Sequence, residues 1–147
     1  PTTTLFRSGI FAVAKETDYL VCSEDFARQY TGKQADLSDW KLCEEIFGEV
    51  EQINRKRAVV TLGARGLLYR EEDGTLCHLP AYQVRAVDST GAGDIFHGAF
   101  AYGLYRGYSL KENLRLGSAA AALSVQKLGS QTSIPSRAET ENYGSAD

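Results

Sequence analysis

Apolar residues follow two patterns along the chain, a helical spacing and short continuous runs. The clearest helical pattern spans 37–53, where apolar side chains recur every three or four positions: Trp40, Cys43, Ile46, Phe47, Val50 and Ile53. Short apolar runs at Asp18–Cys22 and Arg57–Leu62 lack a clean alternation, as expected of strands that are covered on both faces. The two patterns together predict helices and strands that alternate along the chain.

The remaining segments extend this alternation. An Asp73-Gly74 pair between two short apolar runs predicts a β-hairpin, with strands at 67–70 and 76–79. A further strand is predicted at 83–87. Further helices are predicted at 6–15, from an N-cap at Ser23 to residue 31, from the GAGD segment to residue 106, and at 110–128. The result is an α/β layered fold with a mostly parallel sheet and one inserted hairpin.

The composition narrows the classes of function. The net charge of −3 argues against a nucleic-acid-binding surface, which is usually basic. No apolar run approaches the roughly 20 residues of a membrane span, and the first residues lack the pattern of a secretory signal. Three scattered cysteines without a CxxC pair fit reduced thiols. We therefore expect a cytoplasmic protein that binds neither nucleic acid nor membrane.

The stretch VDSTGAGDIFHGAF, residues 87–100, carries the main candidate chemistry. It joins a predicted strand to a predicted helix, and Gly91 and Gly93 leave the unpaired N–H groups of that helix accessible to an anion. The alternative is a tight turn in which Asp94 is merely a favourable acid in the first helical turn. A carboxylate beside a bound phosphate costs electrostatic energy, but it has a purpose if it removes a proton from an attacking hydroxyl.

Three segments carry a resemblance to a known family. DSTGAGDIFHGA, residues 88–99, closely resembles the second signature of the ribokinase-like (PfkB) carbohydrate kinases. VTLGARG, residues 60–66, resembles the T-x-G-x-x-G nucleotide-binding turn of that family, and AAAALSVQKLGSQTSIP, residues 119–135, resembles its closing nucleotide and cation segment. The three segments occur in the order of the family, and the resemblance extends from Asp18 to Pro135.

The resemblance implies ATP-dependent phosphorylation of a hydroxyl of a small sugar or a sugar-like molecule. Asp94 would be the general base, and the N–H groups of Gly91, Ala92 and Gly93 would form an anion hole for the transferred phosphoryl group. The implied nucleotide-binding residues are Thr61, Gly63 and Gly66 on the phosphate and ribose side, and Gly117, Ser118 and Ala121 beside the adenine. Close helix packing is the alternative for the last three.

The resemblance also implies metal sites. Magnesium would accompany ATP, and a monovalent cation such as K⁺ would lie near Asp88, Thr90, Ser124, Lys127, Gly129 and Ser133, with the lysine contributing only its carbonyl. Asp88 capping the turn is the alternative. Many relatives carry N-x-x-E where this chain has Ser23-Glu24-Asp25-Phe26, so both motif positions have changed. Glu24 and Asp25 keep acids nearby and either would hold Mg²⁺ through water, with Glu24 as the candidate. Ketohexokinase-like and sulfofructose-kinase-like members depart here in a similar way, so the resemblance favours those branches of the family.

The match is to one part of the family fold. Residues 1–135 resemble the C-terminal, nucleotide-binding half of a ribokinase-like domain, and 136–147 are predicted to be a polar, frayed tail. The Gly-Gly sugar-binding motif and the β lid of the N-terminal half do not occur. Since the chain also contains no methionine, we expect a piece of a longer protein that is inactive alone and self-associates through unpaired strand edges.

Other functions stay open in the sequence. A nucleoside kinase of the same fold and a non-catalytic nucleotide-binding module are the alternatives. A Rossmann dehydrogenase is disfavoured, because no G-x-G-x-x-G follows the first predicted strand.

Overall fold

The computed structural model describes residues 2–55 and 57–144. The chain divides into two units, Pro1–Pro80 and Ala81–Asp147. The described elements of the first unit are α1 (Thr2–Glu16), β1 (Tyr19–Ser23), α2 (Glu24–Thr31), α3 (Trp40–Asn54), β2 (Arg57–Thr61), a 3₁₀ turn (Gly63–Arg65), β3 (Leu67–Arg70) and β4 (Leu76–Leu79). Those of the second unit are α4 (Ala92–Tyr105), α5 (Leu110–Ser124) and α6 (Arg137–Gly144).

The first unit contains a four-stranded sheet in the order β1-β2-β3-β4. β1 and β2 are parallel, whereas β2 pairs antiparallel with β3, and β3 antiparallel with β4. The α/β class and the inserted hairpin are thus confirmed. The prediction of a mostly parallel sheet needs a correction for the described residues, because both pairings that involve the hairpin are antiparallel and the sheet is mixed.

Helix α3 supplies much of the core of the first unit. Asp39 caps it by accepting the N–H of Leu42 at 3.0 Å. The predicted apolar face is buried at Cys43, Ile46, Phe47, Val50 and Ile53. Trp40, predicted to lie on the same face, is instead 40% exposed, because it is the first residue of the helix and the core contacts begin one turn later.

The second unit has no strand among its described residues, although the sequence predicts one at 83–87. A strand needs a neighbour for its backbone groups, and here the N–H groups of Val87 and Asp88 instead donate to the carbonyl of Val125, at 2.6 and 3.1 Å. Val87 is consequently 60% exposed rather than buried in a sheet.

Helices α4 and α5 pack closely through two glycines. A Cβ on Gly117 would lie 2.8 Å from the ring of Phe96, and a Cβ on Gly103 would overlap Oδ1 of Asn113. The fully buried Asn113 donates its Nδ2–H to the carbonyl of Tyr108 at 3.2 Å, while its Oδ1 has no hydrogen-bond partner among the described residues. The two helices therefore approach one another as closely as their glycines allow.

The last two elements differ in part from the prediction, although α5 begins at Leu110 as predicted. Helix α5 begins with a capping box between Ser109 and Glu112 but ends at Ser124 rather than Leu128, where the N–H of Lys127 donates to the Ser124 carbonyl in a turn. The segment predicted to fray from residue 136 contains α6. Its start is stabilised by Ser136, whose N–H donates to Glu139 at 2.7 Å. Residues 145–147 lie outside the described part.

None of the helices in the described residues is both long enough and apolar enough to cross a bilayer.

Two glycines of α4 allow a matched test of the packing. Gly103→Ala forces the Asn113 amide away from its bond to Tyr108, and we expect a loss of about 1–3 kcal/mol in the free energy of unfolding. Gly98→Ala on the same helix meets no described atom within 4 Å, and we expect a gain of up to about 1 kcal/mol. Urea unfolding measures both; equal effects of the two substitutions would contradict the packing described.

Candidate functional site

The turn before α4 is fixed by the carboxylate of Asp88. Its Oδ1 accepts the N–H of Thr90 at 2.9 Å, and its Oδ2 accepts the N–H of Gly129 at 3.0 Å. The bonds from Thr90 and then that from Gly129 hold the pKa of Asp88 below its usual value. One side chain thus joins the turn that precedes α4 to the turn that follows α5.

Gly91 directly precedes helix α4, and both its backbone conformation and its close contacts disfavour a side chain. Its φ is +77°, in the left-handed region, and a Cβ there would lie 2.9 Å from the Cβ of Ser130. No side chain caps α4, whereas Ser23, Asp39 and Ser109 cap α2, α3 and α5. The N–H of Ala92 donates to the carbonyl of Ser89 at 3.2 Å, so within the predicted anion hole that group already has an acceptor.

Asp94 and Gly91 line a cavity of about 510 Å³ in the second unit. Asp94 lies in the first turn of α4 and is exposed. Most of the remaining wall is apolar, with Arg137 of α6 among the few charged groups. The predicted base and the first residue of the predicted anion hole are therefore at one wall of the same cavity. Sequence reasoning did not identify Ser130 or Arg137 as neighbours of this site.

The residues predicted to border the adenine do not line that cavity. Helix α5 contributes Leu116 and Ala120 to its wall. Gly117 is buried against Phe96, which is the packing role considered as its alternative, and Ser118 and Ala121 are half-buried. Their contact with adenine stays a prediction.

Hydrogen bonds join four of the six residues predicted to hold a monovalent cation, and the other two, Ser124 and Lys127, bond to each other. Asp88 bonds the N–H groups of Thr90 and Gly129, the carbonyl of Gly129 accepts the N–H of Ser133 at 3.1 Å, and the carbonyl of Ser124 accepts the N–H of Lys127 at 3.1 Å. Carboxylate and carbonyl oxygens are the donors that a hard cation prefers. The donor types suit such an ion, which would share oxygens that already accept hydrogen bonds, and binding of the ion here stays a prediction.

The predicted phosphate-side residues Thr61, Gly63 and Gly66 belong to the first unit. The Thr61 hydroxyl donates to the carbonyl of Cys22 at 3.3 Å, and the N–H of Leu62 donates to the carbonyl of Gly66 at 2.7 Å. Gly63 and Gly66 both have positive φ, +60° and +95°. These bonds close a tight turn at the carboxyl end of β2.

Glu24, the candidate for Mg²⁺, is held by an ion pair that the sequence did not predict. Its Oε2 bonds the guanidinium of Arg65, which also donates to the carbonyl of Ala35 at 3.1 Å. Its buried Oε1 has no partner among the described residues, and no cluster of three acidic, histidine or cysteine side chains occurs there. Phe26, at the position of the motif glutamate, packs against the core of the first unit. The Oε2 of Glu24 is thus occupied by Arg65, whereas its buried Oε1 is left for a ligand, and the role of Glu24 at Mg²⁺ stays a prediction.

Known proteins are similar to this chain in sequence. The family model described as pfkB family carbohydrate kinase matches residues 1–137. The ribokinase of Lactococcus lactis subsp. lactis is 40% identical over 104 residues, which are 67% of this chain and 34% of that protein.

Two solved structures extend the comparison. The Arabidopsis thaliana ribokinase, complexed with ribose and ATP, superposes with a TM-score of 0.81 and 26% identity over 93% of this chain and 44% of that chain. The aminoimidazole riboside kinase of Salmonella enterica, complexed with aminoimidazole riboside and an ATP analog, has a TM-score of 0.76 and 26% identity, covering 92% of this chain and 44% of that one. The chain therefore spans less than half the length of these relatives.

The family model covers nearly all of the described chain, and the relatives agree with it in sequence and in fold. The chain belongs to the pfkB family of carbohydrate kinases.

Proposed function

We propose that this chain provides the catalytic base and the phosphate-binding turn of an ATP-dependent kinase that phosphorylates a hydroxyl group of a small sugar. The observation that carries the proposal is the position of Asp94 beside Gly91 at the uncapped start of α4, in the wall of one cavity. The ribose and ATP complex of the Arabidopsis relative supports ATP as the donor and a sugar as the acceptor.

The chemistry assigned to the chain is proton removal and charge stabilisation. Asp94 accepts the proton of the acceptor hydroxyl as the hydroxyl oxygen bonds to the γ-phosphorus and the bond from phosphorus to ADP breaks. Unpaired N–H groups in the first turn of α4 stabilise the charge on the transferred phosphoryl oxygens. Mg²⁺, when bound with ATP, offsets the charge of the phosphates. Thr61, Gly63 and Gly66 are proposed to contact the nucleotide.

The proposal also names the class of molecule that accepts the phosphoryl group. Two of the three relatives compared are ribokinases, which favours a free sugar. The riboside kinase supports a nucleoside as the second candidate. Three further points stay predictions: a K⁺ ion near Asp88, a cytoplasmic location, and self-association through unpaired strand edges. Among the described strands, β1 pairs only with β2.

Substitutions at Gly91 and Asp94 are expected to affect different steps, ATP binding at Gly91 and phosphoryl transfer at Asp94. Gly91→Ala is expected to weaken binding of Mg·ATP by at least about tenfold, because alanine is strained at this φ and its methyl meets Ser130. Asp94→Asn is expected to bind Mg·ATP at least as tightly as the unchanged chain, because the carboxylate serves the reaction and repels the bound phosphates. Isothermal titration measures both. Unchanged binding by Gly91→Ala would contradict the anion-hole assignment.

Turnover tests the role of the base directly. In a form of the protein that contains the remaining part of the kinase fold, Asp94→Asn should slow transfer to ribose by about 10²–10⁴-fold. ADP release measures this rate. An undiminished rate would remove Asp94 from the mechanism and would leave the binding result intact.

The two hydrogen bonds that Asp88 accepts from Thr90 and Gly129 give a prediction that can be tested without a ligand. A carboxyl group whose pKa is lowered in the folded state adds stability above its unfolded pKa of about 3.9, and this stability is lost as the pH falls through the folded value. Asp88→Asn should therefore lower Tm at pH 7, and the difference should shrink in acid. Asp94→Asn removes the same charge nearby, with its favourable position in the first turn of α4, but no described hydrogen bond, so Tm at pH 7 should fall less than in Asp88→Asn. An equal loss of Tm in both variants at pH 7 would argue against a stabilising role for these two hydrogen bonds.

A further inference from the structure

The turn 63–66 after β2 contains two glycines that make its backbone loose. Gly63 and Gly66 have positive φ, and glycine loses more conformational freedom on ordering than any other residue. The bonds inside the turn are local: the N–H of Arg65 donates to the carbonyl of Leu62 at 3.2 Å, and the N–H of Gly66 donates to that of Gly63 at 3.0 Å. Such a turn keeps one shape only when contacts from outside restrict it.

The guanidinium of Arg65 supplies contacts of this kind. One of its nitrogens donates to Oε2 of Glu24, the first residue of α2, and the other donates to the carbonyl of Ala35 at 3.1 Å. The side chains of the ion pair are 41% and 22% exposed, and an exposed pair adds little to the free energy of unfolding. A planar guanidinium that donates to two acceptors instead fixes a geometry.

His78 of β4 bonds the same turn through its backbone. The Nε2 of His78 lies 2.6 Å from the carbonyl oxygen of Arg65, and since a carbonyl only accepts, this nitrogen donates. The strand that carries His78 is itself held in the sheet, where His78 pairs with Leu68 of β3. Arg65 is thus bonded to α2 through its side chain and to β4 through its carbonyl.

We propose that Arg65 and His78 are positioning residues that hold the turn 63–66 in the shape that binds nucleotide. The effect on affinity rests on the proposed function, in which this turn contacts the nucleotide. A loop that is already rigid in its bound shape binds more tightly, because less conformational entropy is lost on binding. Neither side chain has to touch the nucleotide to have this effect.

Two arginines of the first unit allow a matched test. Arg70 resembles Arg65 in its bonds, since its guanidinium also pairs with a carboxylate, that of Glu51 at 3.0 Å, and donates to a carbonyl, that of Gly74 at 2.8 Å. Arg65→Ala should weaken binding of Mg·ATP by at least about fivefold, whereas Arg70→Ala should change it by less than about twofold. Isothermal titration measures both affinities.

The order of stabilities should be the reverse. Arg70→Ala should give the larger loss of Tm, because the Arg70 side chain is only 23% exposed and its guanidinium stands over the ring of Phe47. Thermal unfolding followed by circular dichroism measures this loss. Equal weakening of Mg·ATP binding by the two substitutions would overturn the proposal, because a general loss of stability would then explain the effect of Arg65→Ala.

Substitutions of His78 test the positioning role without removing a positive charge from Arg65. His78→Ala should weaken binding of Mg·ATP by at least about threefold. His78→Gln should restore most of the affinity, because the glutamine Nε2 can donate from about the position of the histidine Nε2. His78→Asn, whose amide is one carbon shorter, should not restore it. Equal affinities of the alanine and glutamine variants would overturn the proposal.

Hydrogen exchange of the free chain separates this proposal from the proposed function. The amides of Leu62 and Gly66, which close the turn, should exchange several-fold faster in Arg65→Ala and His78→Ala than in the unchanged chain and in Arg70→Ala. Unchanged exchange in the first two variants would overturn the positioning role. Faster exchange in a chain that does not bind Mg·ATP would count against the proposed function and leave the positioning of the turn standing.

Discussion

The two hydrogen bonds accepted by Asp88 are the constraint on which the second unit depends. Gly91 must hold its backbone at positive φ directly against Ser130, and this contact exists only while the turn before α4 and the turn after α5 stay together. The carboxylate of Asp88 bridges these turns through Thr90 and Gly129, and the carbonyl of Val125 reinforces the bridge from the other side. Without it, the uncapped start of α4 would have no fixed position, and a preorganised anion hole requires one.

Glycines at the start of α4 and within α4 and α5 serve two physical purposes. Gly91 is required by backbone conformation, whereas Gly103 and Gly117 are required because a neighbouring side chain fills the space of a Cβ. Gly98 in α4 and Gly48 in α3 have neither reason among the described residues.

Features set by local sequence were predicted well. Ser23 caps α2, Gly32 ends it in the left-handed conformation, and Asp73-Gly74 turns the hairpin, since each depends on residues a few positions apart. The family and the α/β class were also predicted, because the GAGD signature is long and specific.

Features that depend on distant partners were missed. The segment 83–87 pairs with no strand among the described residues, and the N–H groups of Val87 and Asp88 bond to the carbonyl of Val125. The pair of Glu24 and Arg65 joins residues 41 positions apart and leaves no local trace in the sequence. The helix from Arg137 is different, because the spacing of Ser136 and Glu139 is a visible capping-box pattern that low overall hydrophobicity concealed.

The central claim is that the start of α4 binds the phosphates of a nucleotide through backbone N–H groups. The most direct measurement is the change in backbone amide chemical shifts of the ¹⁵N-labelled chain when Mg·ATP is added. The account predicts that the largest changes occur at the amides of Gly91, Gly93 and Asp94. Changes confined to other segments, or no change at saturating Mg·ATP, would contradict it.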